Sequence, residues 1–396
     1  MDRPLNIVHC VESYAPALGG MPEVVKQLSE RMVRLGNQVT VFTKAHADRK
    51  GAMLNGVNVR GFELSGNAVD GVQGEPQGYL DALRSCGADV ITFFAAQQWA
   101  TDLALPHLRS LPGRKVFVPT GFSALHDPRW AGYYRQMPQW LGDMDLNVFL
   151  SHHYQDIAFA KAHGLPNGTV IPNGASEEEF DGPARHDLRR SLGMQHDQPL
   201  IVHLGSYTGI KGHREAIQLF VKARTKDAVL VLIGNGNAAL ERIFKRHYSY
   251  MALRFKARLL NKRIHFLELD RTRTVDALKQ ADLFLFPSNV ECSPIVLFEA
   301  MAAGVPFLSS RAGNAAEIAA WSNGGWTMPG HRDVQQRERP DLAVGARMLE
   351  DLLLDPDKRT KAGRAGHQAW RERFTWQHIT GQYLAAYQEL VAGEAQ

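Results

Sequence analysis

The chain has 396 residues, too many for one ordinary hydrophobic core, so two domains are expected. Apolar residues make up 44% and charged residues 22%, which excludes a disordered or low-complexity protein, and a net charge of +4 gives no global reason to bind nucleic acid. The three cysteines, Cys10, Cys86 and Cys292, are odd in number and lack metal-type spacing, which fits a reducing compartment. MDRPLNIVHCVESY runs straight into a strand without a signal peptide's apolar core, and no apolar run approaches the roughly 18 residues of a spanning helix. A soluble, cytoplasmic protein is expected.

In chain order, LNIVHCV reads as a strand, ESYAPALGGMP as a loop, and EVVKQLSERMVRLG as an amphipathic helix stopped by Gly36. Strands follow at QVTVFT, VNVRGFEL, ADVITFF, RKVFVPT and LNVFLS. The glycines and prolines of GTVIPNGASEEEFDGPARHDLRR place a linker near Asp181 to Ala184. The rhythm then restarts with the strand PLIVHLGS, the glycine-punctuated loop YTGIKG and the helix HREAIQLFVKAR. Strands AVLVLIG, RIHFLEL, ADLFLFPS and VPFLSS complete the second half. Short apolar runs alternating with amphipathic segments mark βαβ units, so the fold class is α/β with two Rossmann-like halves in tandem. In such sheets ligands bind beyond the carboxyl ends of the strands, and a cleft between the domains is the expected site.

The segment ECSPIVLFEAMAAGVPFLSS carries the most chemistry. Ser293 as N-cap and Pro294 at N1 predict a helix start, and Gly304 predicts its stop. The N–H groups of Ile295 and Val296 then lack intrahelical partners and suit an anion. Glu291 lies before the helix and Glu299 in its second turn, eight positions on. A carboxylate repels a bound phosphate but accepts strongly from sugar hydroxyls, so the pattern describes a nucleotide-sugar. Acids near a helix start are also ordinary dipole partners, and that plainer account stands beside it. Lys211, in a loop bounded by Gly205, Gly209 and Gly212, is a mobile point charge suited to a diphosphate, or simply a solvated lysine. Gly19 and Gly20 precede the first helix and permit close backbone approach to a phosphate, or serve a tight turn.

Together these pieces resemble glycosyltransferase family 4, retaining enzymes of the GT-B fold. ECSPIVLFEAMAAGVP is similar to that family's E-x7-E motif, VIPNGASEEEF to its interdomain segment, and ADLFLFPSNVE to the strand leading into the motif. GGMPEVVKQLSERMVRLGNQVTVFT matches its first helix and second strand, and RFTWQHITGQYLAAYQEL resembles its terminal helix crossing back to the first domain. The resemblance covers nearly the whole chain. It implies an acceptor-binding domain over 1–183, a nucleotide-sugar domain over 184–375, and a returning helix over 376–396. It implies a metal-independent transfer of sugar from a nucleotide-sugar to a glycan or glycolipid hydroxyl in polysaccharide or lipopolysaccharide synthesis. A nucleotide-sugar epimerase, or a catalytically weak nucleotide-sugar-binding subunit, is the alternative. By the same resemblance Glu299 holds the ribose, Glu291 the donor sugar, and Lys211 with Gly20, Ile295 and Val296 the diphosphate. Gly19, Gly205, Ser206, Leu267 and Ser293 complete the donor set. No cofactor or metal is implied; the aspartate pairs of DMD at Asp143–Asp145 and DPD at Asp355–Asp357 read as chance.

Two positions depart from the family. Ser206 stands where its arginine is usual, and around Thr120 and Gly121 its N-terminal-domain histidine is replaced, leaving His126 as substitute catalytic residue or ordinary loop histidine. Two further segments bear on partners. HDPRWAGYYRQMPQWL offers Trp130, Tyr133, Tyr134 and Trp140 to an acceptor or membrane, or to the core. Residues 241–263 hold eight Lys/Arg and one acid, a net +7 that leaves −3 elsewhere. One helix is expected there, with Phe244, Tyr248, Met251, Phe255 and Leu259 as a stripe that packs on the domain or meets an anionic membrane surface from the cytoplasmic side.

Overall fold

The computed structural model describes residues 3–195, 197–247 and 250–393. They form two compact units, Met1–Asn173 with Trp376–Gln396, and Gly174–Thr375. In the N-terminal unit an eight-stranded sheet runs in the order Gly168–Val170, Leu146–Phe149, Arg114–Val118, Val90–Phe94, Asn6–Cys10, Gln38–Lys44, Val57–Phe62, Met53–Leu54. All neighbours are parallel except the short edge strand Met53–Leu54. The strands that alternation predicted are all present. Val90–Phe94 is buried at every position, as a parallel strand covered on both faces must be.

In the C-terminal unit six parallel strands lie in the order Arg263–Leu267, Val229–Ile233, Leu200–Leu204, Leu283–Phe286, Phe307–Ser309, Gly325–Thr327. Counted along the unit's own chain this is 3-2-1-4-5-6, the order of dinucleotide-binding Rossmann sheets. Its direction reverses between Leu200–Leu204 and Leu283–Phe286, so the loops after these two strands diverge and leave a crevice at their carboxyl ends.

The units divide at Asn173, ten residues before the expected boundary at 183. The reason is local pairing. Ala175 N–H donates to the Phe374 carbonyl at 3.0 Å and the Trp370 indole N–H donates to the Ala175 carbonyl at 3.1 Å, which ties Gly174–Asp181 to the C-terminal unit. The terminal helix Trp376–Ala392 groups with the N-terminal unit, where the Tyr387 hydroxyl lies 2.6 Å from Thr92 Oγ1. Two hairpins, Ser65–Asn67 with Gly71–Gln73 and Gly330–Arg332 with Glu338–Pro340, had no clear alternation in the sequence.

Candidate functional site

The loops at the switch point of the C-terminal sheet bring together most of the predicted donor residues. After Leu200–Leu204 the chain runs Gly205–Gly212 into the helix His213–Lys222; after Leu283–Phe286 it runs 287–294 into the helix Ile295–Ala302. Lys211 Nζ donates to Glu291 Oε1 at 2.7 Å, and Ser288 Oγ donates to the same oxygen at 2.8 Å. The two loops are stitched by Asn289 N–H to the Ile210 carbonyl at 2.8 Å. This closeness is what the glycines permit. Gly212 has φ +77°, and a Cβ there would stand 2.0 Å from the Pro287 carbonyl oxygen. Gly313 has φ +63°, and a Cβ there would stand 2.3 Å from the Cys292 carbonyl oxygen. A side chain at either position would force the loops apart.

The helix begins one residue later than expected. Pro294, at ψ 111°, is the N-cap, with no side-chain cap bond; the buried Ser293 precedes it. Proline fixes φ but its ring leaves ψ free to be extended, so it takes the boundary itself. Leu297 N–H returns to the Pro294 carbonyl at 3.1 Å, while the N–H groups of Ile295 and Val296 lie in the opening turn, where no helical carbonyl is in reach.

Glu299 is 4% exposed, four residues along this helix. Its partner was not foreseen. Arg271 Nη2 donates to Glu299 Oε1 at 2.6 Å and to Glu179 Oε2 at 2.6 Å, with Arg271 Nε on Glu179 Oε1 at 2.9 Å. Burial works against the Arg271 charge, but Glu299 and Glu179 outweigh it and hold the guanidinium well above its usual pKa. Glu179 comes from the short helix Glu177–Phe180, so the segment after Asn173 is clamped to the ribose candidate. The pairs span 28 and 92 residues of sequence, and no local spacing signals them.

Beneath the lysine loop lie two buried histidines. His213 Nε2 donates to the Gly205 carbonyl at 2.9 Å, His203 Nδ1 donates to the Leu285 carbonyl at 2.9 Å, and the rings meet edge to face at 4.6 Å. Burial pushes His203 down to about 3, so it is neutral at neutral pH. Ser206 is exposed in the same loop, and Leu267 ends its strand with its carbonyl accepting from Gly234 N–H at 3.1 Å.

In the N-terminal unit, Gly19 and Gly20 are exposed at the start of the helix Gly20–Arg34. His126 is exposed in the loop before the turn Pro128–Trp130. The aromatic segment is corrected. Trp130, Tyr133, Tyr134 and Trp140 are 4%, 5%, 7% and 9% exposed and belong to the core cluster, so they carry no acceptor surface. Trp130 and Trp140 each meet Tyr133 edge to face, at 5.1 and 5.3 Å. Tyr133 OH donates to the buried Asp102 at 2.8 Å, whose carboxyl burial pushes up to about 6.

The expected single helix over 241–263 is also corrected. It is two, Asn237–Arg246 and Met251–Leu259, because His247 leaves the helical region at ψ 134°. Phe244 packs into the core against Tyr250 and Phe266. Tyr248 lies outside the described residues. Three of the four aspartates of DMD and DPD have structural partners: Asp143 pairs with Arg109, Asp145 with Arg114 and Lys115, and Asp355 caps the helix Pro356–Ala369.

An open parallel sheet with a lysine, two carboxylates and a helix start at its switch point defines an α/β protein whose site suits a nucleotide. The comparisons narrow this. Residues 184–368 match the family described as Glycosyl transferases group 1. The chain is similar to N-acetyl-alpha-D-glucosaminyl L-malate synthase of Bacillus anthracis, 24% identical over 95% of each chain. It is also similar to the GDP-mannose:cellobiosyl-diphosphopolyprenol alpha-mannosyltransferase of Xanthomonas campestris, 22% identical over 97% of this chain and 96% of that one. Among solved structures, sucrose-phosphate synthase from Thermosynechococcus elongatus superposes with TM-score 0.77 at 17% identity, over 99% of this chain and 100% of that one. Over residues 184–368 the chain is thus similar to the group 1 glycosyltransferases, and its fold is GT-B.

Proposed function

We propose that this glycosyltransferase moves a sugar from a nucleoside-diphosphate donor to a hydroxyl of a glycan or lipid-linked glycan, with retention at the anomeric carbon and without a metal. The observation that carries the reading is the Lys211–Glu291 pair, 2.7 Å apart at the switch point beside the helix Ile295–Ala302. An ammonium has three N–H donors, so Lys211 can keep its bond to Glu291 and still give two to a diphosphate. The N–H groups of Ile295 and Val296 and the helix dipole add fixed positive potential. As the bond from anomeric carbon to diphosphate oxygen breaks, negative charge grows on that oxygen, and preorganised donors there contribute roughly 3–4 kcal/mol each. The acceptor oxygen bonds to the anomeric carbon on the face the diphosphate leaves, and its proton passes to the departing phosphate. Glu291 would orient the sugar and Glu299 the ribose, both as acceptors.

The Xanthomonas relative takes its acceptor on a polyprenol diphosphate, which supports a lipid-linked acceptor here and a site of action at a membrane surface. Among the described residues no helix is long and apolar enough to cross one. A second reading, a nucleotide-sugar-binding subunit with weak turnover, is supported by Ser206 in the lysine loop and by the exposed position of His126. Thermal melting with UDP-, GDP-, ADP- and dTDP-sugars identifies the donor, because a ligand selective for the folded state raises the melting temperature. Release of free nucleoside diphosphate in the presence of acceptor then separates transfer from binding alone and from epimerisation. Stabilisation by no nucleotide would remove the proposal.

A further inference from the structure

The break at His247 turns the basic segment into a surface feature that the donor site does not use. Met251, Phe255 and Leu259 are 65%, 64% and 67% exposed, which is unusual for three large apolar side chains on one short helix. At about 100° per residue, positions four apart drift by roughly 40°, so the three form one ridge within an arc of roughly 80°. The opposite face is anchored: Ala257 is buried, Leu253 packs on the core, and Arg254 donates to the carbonyls of Phe244 and His247. The ridge is therefore held outward by the fold.

Its flanks are cationic. On the same wheel Arg258 falls about 20° to one side of Met251, and Lys256 about 60° beyond Leu259 on the other. Arg242, Lys245 and Arg246 are exposed on the preceding helix. Residues 241–263 carry eight Lys/Arg against Glu241 alone, while the remainder of the chain sums to −3. An apolar ridge between rows of cations is complementary to a surface with acyl chains beneath anionic headgroups. A second copy of this chain would bring the same positive charge to the contact, which disfavours self-association.

We infer that Met251, Phe255 and Leu259, with the cations around them, dock the C-terminal unit onto an anionic phospholipid bilayer. This deepens the reading of a lipid-linked acceptor, since docking brings the donor-binding unit to the surface where such an acceptor lies.

The experiment is flotation of the full chain with vesicles of equimolar phosphatidylcholine and phosphatidylglycerol, and with phosphatidylcholine alone. Binding is expected to the anionic vesicles only, and to fall at high salt. Replacing Arg242, Arg246 and Arg258 by Gln should weaken it about a hundredfold, at about fivefold per cation. Replacing Met251, Phe255 and Leu259 by Ser should weaken it at least tenfold through lost apolar insertion. All six side chains are exposed, so folding should persist, and the melting shift with the donor reports that it does. Equal binding by wild type and both variants overturns the inference. So does wild type that ignores anionic vesicles, or a self-association that the Ser variant abolishes. In each of these cases an undiminished donor shift and nucleoside diphosphate release would leave the transferase reading in place.

Discussion

The Glu179–Arg271–Glu299 cluster yields a prediction with two independent readouts. Glu299 has 5% of its side chain exposed and Arg271 41%, with 2.6 Å between their nearest atoms. Arg271→Ala leaves Glu299 buried without this partner. Loss of one partner from a buried pair costs about 3–5 kcal/mol, reduced here to about 2–3 because water reaches the arginine. Glu299→Gln keeps the shape and exchanges a charge-assisted bond for a neutral one, about 1 kcal/mol. In the Gln background Arg271→Ala should cost only about 1 kcal/mol, so urea unfolding of the double-mutant cycle should give a coupling of about 1–2 kcal/mol. Titration calorimetry supplies the second readout. If Glu299 accepts from the ribose, Glu299→Gln should weaken the nucleoside diphosphate by about 1.5–3 kcal/mol, roughly tenfold to a hundredfold in Kd. Additive stabilities with unchanged nucleotide affinity would refute the reasoning on both counts and leave Glu299 a structural acid.

Lys211→Ala should reduce kcat/KM by about a hundredfold or more through lost stabilisation of the leaving diphosphate, and a full rate measured by nucleoside diphosphate release would remove it from the chemistry. Gly212→Ala should destabilise the C-terminal unit by several kcal/mol on the strain scale of a left-handed residue plus a clash with Pro287, so unchanged melting would show that the loops can part. Tyr133→Phe removes the donor to the buried Asp102, should cost about 1–3 kcal/mol, and should leave turnover unaltered, which tests the core assignment of the aromatic segment. His203 is neutral in the folded chain at about 3, whereas the unfolded chain takes up its proton near 6.5. Its contribution is therefore full above that pH and is lost as pH falls from 6.5 toward 3, at up to about 1.4 kcal/mol per pH unit. His203→Gln should flatten the acid limb of the stability–pH curve by one proton, and an unchanged slope would place the sensitivity elsewhere.

The sequence by itself determined the strands, their alternation with helices, and the loops that carry Lys211, Glu291 and Glu299. Hydrophobic period and glycine position are properties of short windows, and parallel strands buried on both faces write them plainly. The motif from Glu291 to Glu299 is equally local, since one helix start supplies both its N–H groups and its spacing. What the sequence left undecided was direction and partnership. The aromatic segment at Trp130–Trp140 had two possible faces, and only packing around Tyr133 and Asp102 turned it inward. The stripe from Phe244 to Leu259 assumed one helix, and the turn at His247 sent one part to the core and the other to the surface. Arg271 joined Glu299 and Glu179 because the fold brings together three segments 28 and 92 residues apart in sequence. Periodicity reports that a face is covered; which group covers it is fixed by topology, over separations that no local pattern records.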